Sequence, residues 1–267
     1  MPHLEQTADL GIFYQVDNHS DPWTNPKTII FIHGFTENVA AWYAWVPHFS
    51  RKYQVVRYDQ RGFGQSLPTK GPLEFTTPHL ITDLQNVIDR VSPHQKVHLV
   101  TGKSGAMTGI EIARTLPQKI QSLCMISPAI KAPNIDGWIA HMQEFGMASW
   151  ARWTMGDRLG SKMPTKGHEW WINLMGQTPT KTAIAYLNWV ASINQEPHLK
   201  ELTIPTLIVG NDTARRGFAE FNRYVQQIPN GQLEMIQADG YHTGAVAPDA
   251  CATVVKAFIA KHPLDSL

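Results

Sequence analysis

Five short apolar runs limit what this chain can fold into: residues 28–32, 54–58, 97–101, 122–126 and 206–209. Each is too short for a buried helix and too continuous for a strand with one wet face. Runs of this kind suit strands covered on both sides, as in sheets sandwiched between helices. Helix-period patterns lie between them, at 40–49, 80–91, 107–116, 218–227 and 250–262. Strands alternating with helices of ten or so residues predict βαβ units, hence an α/β fold with a mostly parallel central sheet and helices on both faces. Alternating residues 12–16 predict a half-buried strand near a sheet edge, and 232–237 predict a last one.

The rhythm breaks from about 132 to 201, where only helix-like text occurs, at 138–144, 148–158 and 181–193, and it resumes at Ile204-Pro205. Both ends of this stretch return to strands of the same sheet, which predicts a helical cap over one end of it. The expected organisation is therefore a core of residues 1–131 and 202–267 and a cap or lid of 132–201. No repeat of fixed period and no low-complexity tract interrupts it. Six of the nine Trp fall inside the cap: Trp138, Trp150, Trp153, Trp170, Trp171 and Trp189.

Composition narrows the function class. With 43% hydrophobic and 17% charged residues the chain is not disordered. Lys+Arg 23 against Asp+Glu 22 leaves a net charge of +1, without the footprint of a nucleic-acid binder. No apolar run approaches the roughly 18 residues of a membrane span. Glu5 and Asp9 break the basic-then-apolar order of a secretory leader. Cys124 and Cys251 stand apart in apolar stretches and read as small buried hydrophobes. The expectation is a cytoplasmic protein whose partner is a small-molecule substrate, neither nucleic acid nor membrane, with a homodimer allowed. No grouping with ligand spacing such as H-E-x-x-H occurs, so neither a metal nor another cofactor is expected.

The strongest local signal is Thr101-Gly102-Lys103-Ser104-Gly105-Ala106, at the junction of a predicted strand and a predicted helix. Gly102-x-Ser104-x-Ala106 reads as a relaxed G-x-S-x-G elbow, which would project Ser104 as a nucleophile from a turn too tight for large neighbours. Helix N-terminal N–H groups there favour developing negative charge. The other reading is a serine that only caps the helix. A serine nucleophile needs a base and an orienting acid. His242 lies in a Gly-flanked loop after the last predicted strand, and Asp212 follows the strand 206–209, giving the order Ser, Asp, His expected for this elbow. Asp136 is a remote second candidate for the acid. The oxyanion donors would be the N–H groups of Gly105 and Phe35.

Together Ile32-His33-Gly34-Phe35, Tyr58-Asp59-Gln60-Arg61-Gly62-Phe63-Gly64-Gln65-Ser66, the elbow, Asp212 and Gly240-Tyr241-His242 resemble the α/β-hydrolase family. The resemblance implies Ser104 as nucleophile, His242 as base, Asp212 as acid, and Phe35 with Gly105 as oxyanion donors. Three positions depart from the family's pattern: Lys103 before the serine, Ala106 where glycine is common, and Asp212 two residues after Gly210 instead of three. The cap is similar to that of 3-oxoadipate enol-lactonases and related small-acid hydrolases. Lys103, Trp150, Trp153 and Arg152 are candidates for substrate contact, and Arg158, Arg215 and Arg216 could likewise meet a carboxylate. The activity implied is that of a cofactor-independent serine hydrolase of a small ester or lactone. The alternatives are a C–C bond hydrolase of a vinylogous diketone, or a ligand receptor, lyase or cofactor-free oxygenase on the same scaffold.

Overall fold

In the computed structural model, which describes residues 3–7, 10–66, 73–132, 135 and 137–263, the five apolar runs become five neighbouring strands of one sheet. The strands are β1 (His3–Thr7), β2 (Leu10–Asp17), β3 (Lys27–Ile32), β4 (Tyr53–Tyr58), β5 (Val97–Gly102), β6 (Ile120–Ile126), β7 (Thr206–Gly210) and β8 (Gly231–Met235). Their order is β1-β2-β4-β3-β5-β6-β7-β8. All pairings from β4 to β8 are parallel, while β2 runs antiparallel to both β1 and β4. The strand expected near the edge at 12–16 therefore lies one place in, with β1 outside it.

Helices α1 (Val46–Phe49), α2 (Thr77–Val91), α3 (Gly105–Thr115), α4 (Trp138–Leu159), α5 (Thr165–Gly176), α6 (Thr180–Ala191), α7 (Phe218–Val225), α8 (Thr243–Val246) and α9 (Pro248–Ala260) complete the chain. Side chains alternate across a strand, so β3 serves two cores at once. Ile30 and Ile32 join Leu84, Ile110 and Phe221 from α2, α3 and α7, while Ile29 and Phe31 join Phe49, Val255 and Phe258 from α1 and α9. Cys124 and Cys251 are free and buried in the second of these cores. The helix expected at 40–49 is broken into a 3-10 turn over Val39–Trp42 and the short α1, where Pro47 is better placed at a helix start than in its interior.

Between β6 and β7 lie α4, α5 and α6, the helical insertion expected from the sequence. Gly146 (φ 78°, ψ 174°) divides α4 into two helical pieces, which is why the helix pattern falters between 144 and 148. α5 was not among the expected helices. A third core joins the insertion to the sheet's carboxyl edge: Trp138, Trp150, Trp171 and Tyr186 pack with Phe35, Phe63 and Met107. Phe35 stacks on Tyr186 and meets Trp150 edge-on, with ring centroids 5.6 and 5.3 Å apart. Among the described residues no helix is long and apolar enough to cross a membrane, and no group of three or more His, Cys, Asp or Glu could hold a metal ion.

Candidate active site

The junction of β5 and α3 is the tight turn that the sequence indicated, but its tip is one residue earlier than expected. Lys103 has φ 53°, a region that costs a non-glycine residue of order 1–3 kcal/mol. Its backbone is fixed from three sides: Lys103 N–H donates to Ile126 O at 3.1 Å, and Lys103 O accepts from Ala106 N–H at 3.2 Å and Ala129 N–H at 2.9 Å. Ser104 has helical angles (φ −70°, ψ −16°) and stands at the N-cap of α3. The close approach that demands glycine falls at Gly105, where a Cβ would sit 2.5 Å from His33 O and 2.7 Å from Ile32 O on β3. Small residues flank the tip at its second neighbours, so the elbow's frame is Thr101-Gly102-Lys103-Ser104-Gly105, with lysine at the centre. This corrects the placing of Ser104 at the tip, and it removes the anomaly of Ala106. With the tip at Lys103, the N–H that follows it is that of Ser104, not of Gly105.

The other expected triad members are also placed differently. Asp212 Oδ1 accepts from Phe218 N–H at 2.7 Å and so caps the start of α7. It makes no hydrogen bond to His242, whose partner is Glu37, with His242 Nε2 and Glu37 Oε1 2.8 Å apart and both residues buried. Glu37 Oε2 also accepts from Gly34 N–H at 3.0 Å. Burial pushes the Glu37 carboxyl up, but the adjoining His242, the Gly34 N–H and His33 outweigh it and hold the pKa at about 2. Asp136, the remote second candidate, lies outside the described residues. The sequence held Glu37 in plain view, four residues after His33, but chain order directed attention to the loop after β7. Ser104 Oγ accepts from Tyr186 OH at 3.1 Å and makes no hydrogen bond to His242.

Lys103 Nζ donates to Tyr241 O at 2.7 Å and lies 4.1 Å from the centre of the Tyr241 ring. Burial, then the guanidinium groups of Arg216 and Arg158, hold this amine well below the usual lysine range, with Glu37 opposing and Arg215 reinforcing. Neighbouring residues are structural. His33 Nε2 accepts from Gln60 N–H at 3.0 Å, which leaves its Nδ1 to donate to Gly34 O at 2.8 Å. Asp59 accepts from the N–H groups of Val39 and Gln65, and Arg61 grips Asp83 with two nitrogens at 2.5 and 2.7 Å.

A cavity of about 680 Å³ opens above the elbow, with Phe35, Glu37, Lys103 and Ser104 on one side and Trp138, Trp153 and Arg158 of α4 on the other. Five cationic side chains line it, Lys103, Lys131, Arg158, Arg215 and Arg216, against two carboxylates, Glu37 and Glu220. Arg158 is buried, its Nε donates to Thr154 Oγ1 at 3.1 Å, and its Nη2 has no partner among the described residues. Its guanidinium is held over Trp150 and Trp138, 4.9 and 5.3 Å from the ring centres. Of the cap residues singled out in the sequence, Trp153 reaches the cavity and stacks on His141, while Trp150 is fully buried and packs the insertion onto Phe35. Arg152 is corrected: it is exposed and paired with Glu169 at 2.6 and 3.0 Å, away from the cavity.

Elbow, sheet order and helical insertion together define an α/β hydrolase. The family model described as alpha/beta hydrolase fold matches residues 27–170, and the chain belongs to that family. Among curated proteins it is similar to the probable oxidoreductase EphD of Mycobacterium tuberculosis, 30% identical over 112 residues. That match spans 40% of this chain and only 19% of the mycobacterial protein. It is also similar to the putative carbamate hydrolase RutD of Stutzerimonas stutzeri, 21% identical over 85% of this chain and 89% of the relative. Among solved structures, the enol-lactonase from Burkholderia xenovorans LB400 superposes with TM-score 0.85 at 16% identity, over 97% of this chain and all of that one. The thermophilic esterase from Thermogutta terrifontis, with malate bound, superposes with TM-score 0.83 at 17% identity, over 95% of each chain.

Proposed function

We propose that this enzyme hydrolyses a small carbonyl compound that carries a carboxylate, bound between the Lys103 elbow and the helical insertion. The observation that carries the reading is the buried guanidinium of Arg158, held over Trp150 and Trp138 beside a cavity that five cationic side chains line against two carboxylates. A carboxylate of the substrate would pair with this positive charge in a charge-assisted contact. Arg215 and Arg216 add positive potential at the same end. Phe35 and Ser104 would direct their N–H groups at the oxygen that becomes negative. The Glu37–His242 pair, beside the amine, would accept and return the proton of the attacking water. Relatives named as hydrolases, esterases and an enol-lactonase support hydrolysis at a carbonyl, and an esterase of this fold with malate bound supports an anionic ligand.

Two bond types fit this site: an ester or lactone, and the C–C bond of a vinylogous diketone. The residue at the tip favours the second. A lysine amine acylated by an ester becomes an amide, a stable end product, whereas with a ketone it forms a reversible adduct. The test is a panel of carboxylate-bearing esters, lactones and diketones, each beside its neutral methyl ester, assayed on the parent and on Arg158→Met. The acids should be preferred about 10- to 100-fold, and the variant should lose that preference, from the value of a hydrogen bond to a charged group. Equal turnover of acid and neutral forms by both proteins would refute the reading.

A further inference from the structure

We propose that Lys103 is the covalent nucleophile of this enzyme, its Nζ condensing with a ketone of the substrate to give an imine; the inference rests on the proposal that the substrate carries a carboxylate. Three observations converge on it. Lys103 occupies the strained tip of the elbow, the position from which this turn presents its central side chain to the cavity. Its amine is steered by Tyr241 O and the Tyr241 ring, not neutralised in an ion pair. The groups facing it are Glu37 from the loop after β3, Arg158 from α4, Arg215 and Arg216 from the loop after β7, and Tyr241 from the loop after β8. Cations outnumber the one carboxylate, so burial and charge both favour the unprotonated amine, the form that attacks a carbonyl.

The chemistry balances without a further reactant. The amine lone pair adds to the ketone carbon, and the carbonyl oxygen becomes the hydroxyl of a carbinolamine. That hydroxyl leaves as water when it receives a proton. Ser104 is placed to give one, because its oxygen already accepts from Tyr186 and its own hydrogen remains to donate. Burial pushes the Tyr186 phenol up, so it keeps its proton. In the resulting iminium, water adds to the second carbonyl of a 1,3-diketone with the aid of the Glu37–His242 pair. The C–C bond then breaks, its electrons pass to the iminium nitrogen as an enamine, and the second carbonyl leaves as a carboxylic acid. Protonation at carbon by the Glu37–His242 pair, then addition of water to the iminium, release the ketone and restore the amine, and the proton freed by that water returns to Ser104. The sum is diketone plus water giving acid plus ketone.

The experiment incubates the intact protein with 2,4-dioxopentanoate and cyanoborohydride, then maps modified lysines by peptide mass spectrometry. Binding of the same acid is followed in parallel, without reductant, by tryptophan fluorescence on the parent and on Arg158→Met. The expected result is an adduct of the acid less water plus two hydrogens on Lys103, formed at least tenfold faster than on any other lysine. Turnover by Lys103→Arg should fall at least ~10³-fold, as for other lost nucleophiles. Mapping on the parent keeps the test valid even if that variant does not fold. Arg158-dependent binding with no adduct on Lys103 overturns the imine and leaves the substrate reading standing. No binding by either protein overturns both.

Discussion

Gly105 gives a test of the elbow's frame that needs no substrate. A Cβ at this position would lie 2.5 Å from His33 O and 2.7 Å from Ile32 O. Both obstacles are backbone atoms at the end of a central strand and cannot rotate away. Relief to an ordinary contact of about 3.4 Å requires α3 and β3 to part by about 0.9 Å. Overpacking of this kind costs about 1–3 kcal/mol, and with a rigid obstacle the upper end applies. Alanine returns about 0.8–1 kcal/mol of helix propensity over glycine. The net expectation for Gly105→Ala is a loss of about 2 kcal/mol, a factor near 30 in the unfolding equilibrium. A displacement near 1 Å at the tip should also cost about 10²-fold in rate. Ala106→Gly should lose the helix-propensity difference and one buried methyl, together about 1–2 kcal/mol, with little change in rate. Urea unfolding midpoints and turnover of the two variants measure this directly. If Gly105→Ala matches the parent while Ala106→Gly is as stable as the parent or more so, the turn is centred on Ser104 and not on Lys103.

Other expectations concern the groups around the tip. Asp212→Ala should lose about 1 kcal/mol of stability, the worth of a helix cap, with turnover within about threefold of the parent, whereas Glu37→Gln should slow turnover by about 10² or more. A reversal of that pair in steady-state kinetics would return the acid's role to Asp212. Glu37 also predicts a pH dependence. Its carboxyl is lowered from 4.5 to about 2, so its contribution to stability is complete above about pH 5 and is lost as pH falls through 4.5 towards 2. Glu37→Gln should flatten the acid limb of the stability curve. An unchanged acid limb in the variant would contradict the buried pair.

The scaffold was legible because burial is written in residue type. Strands covered on both faces must be apolar without interruption, and the five runs did become β3 to β7 within two residues of their expected bounds. The break at Gly146 was visible as a gap in helix periodicity, whereas the helix pattern at 40–49 runs on across Pro47, where the structure divides it. The site was less legible, since it depends on stereochemistry that residue chemistry can mask. Ser104 drew the eye as the only hydroxyl in Gly102-Lys103-Ser104-Gly105, but the turn is set by where a Cβ cannot fit, and that place is Gly105. The signal was present: Ala106 was one methyl too large for the frame centred on Ser104, while Gly105 suited a frame centred on Lys103. Glu37 was missed for a different reason. The pairing of a loop after β3 with a loop after β8 is a contact across 205 residues, which no local pattern encodes.

The most direct test of the central claim is a crystal structure with an unreactive 1,3-dicarbonyl acid analogue bound. The expected result has one carbonyl carbon within about 3.5 Å of Lys103 Nζ, the distance of a near-attack geometry, and the carboxylate beside the Arg158 guanidinium. A ligand whose carbonyl lies over Ser104 Oγ, with the Lys103 amine turned away and the carboxylate far from Arg158, would contradict it.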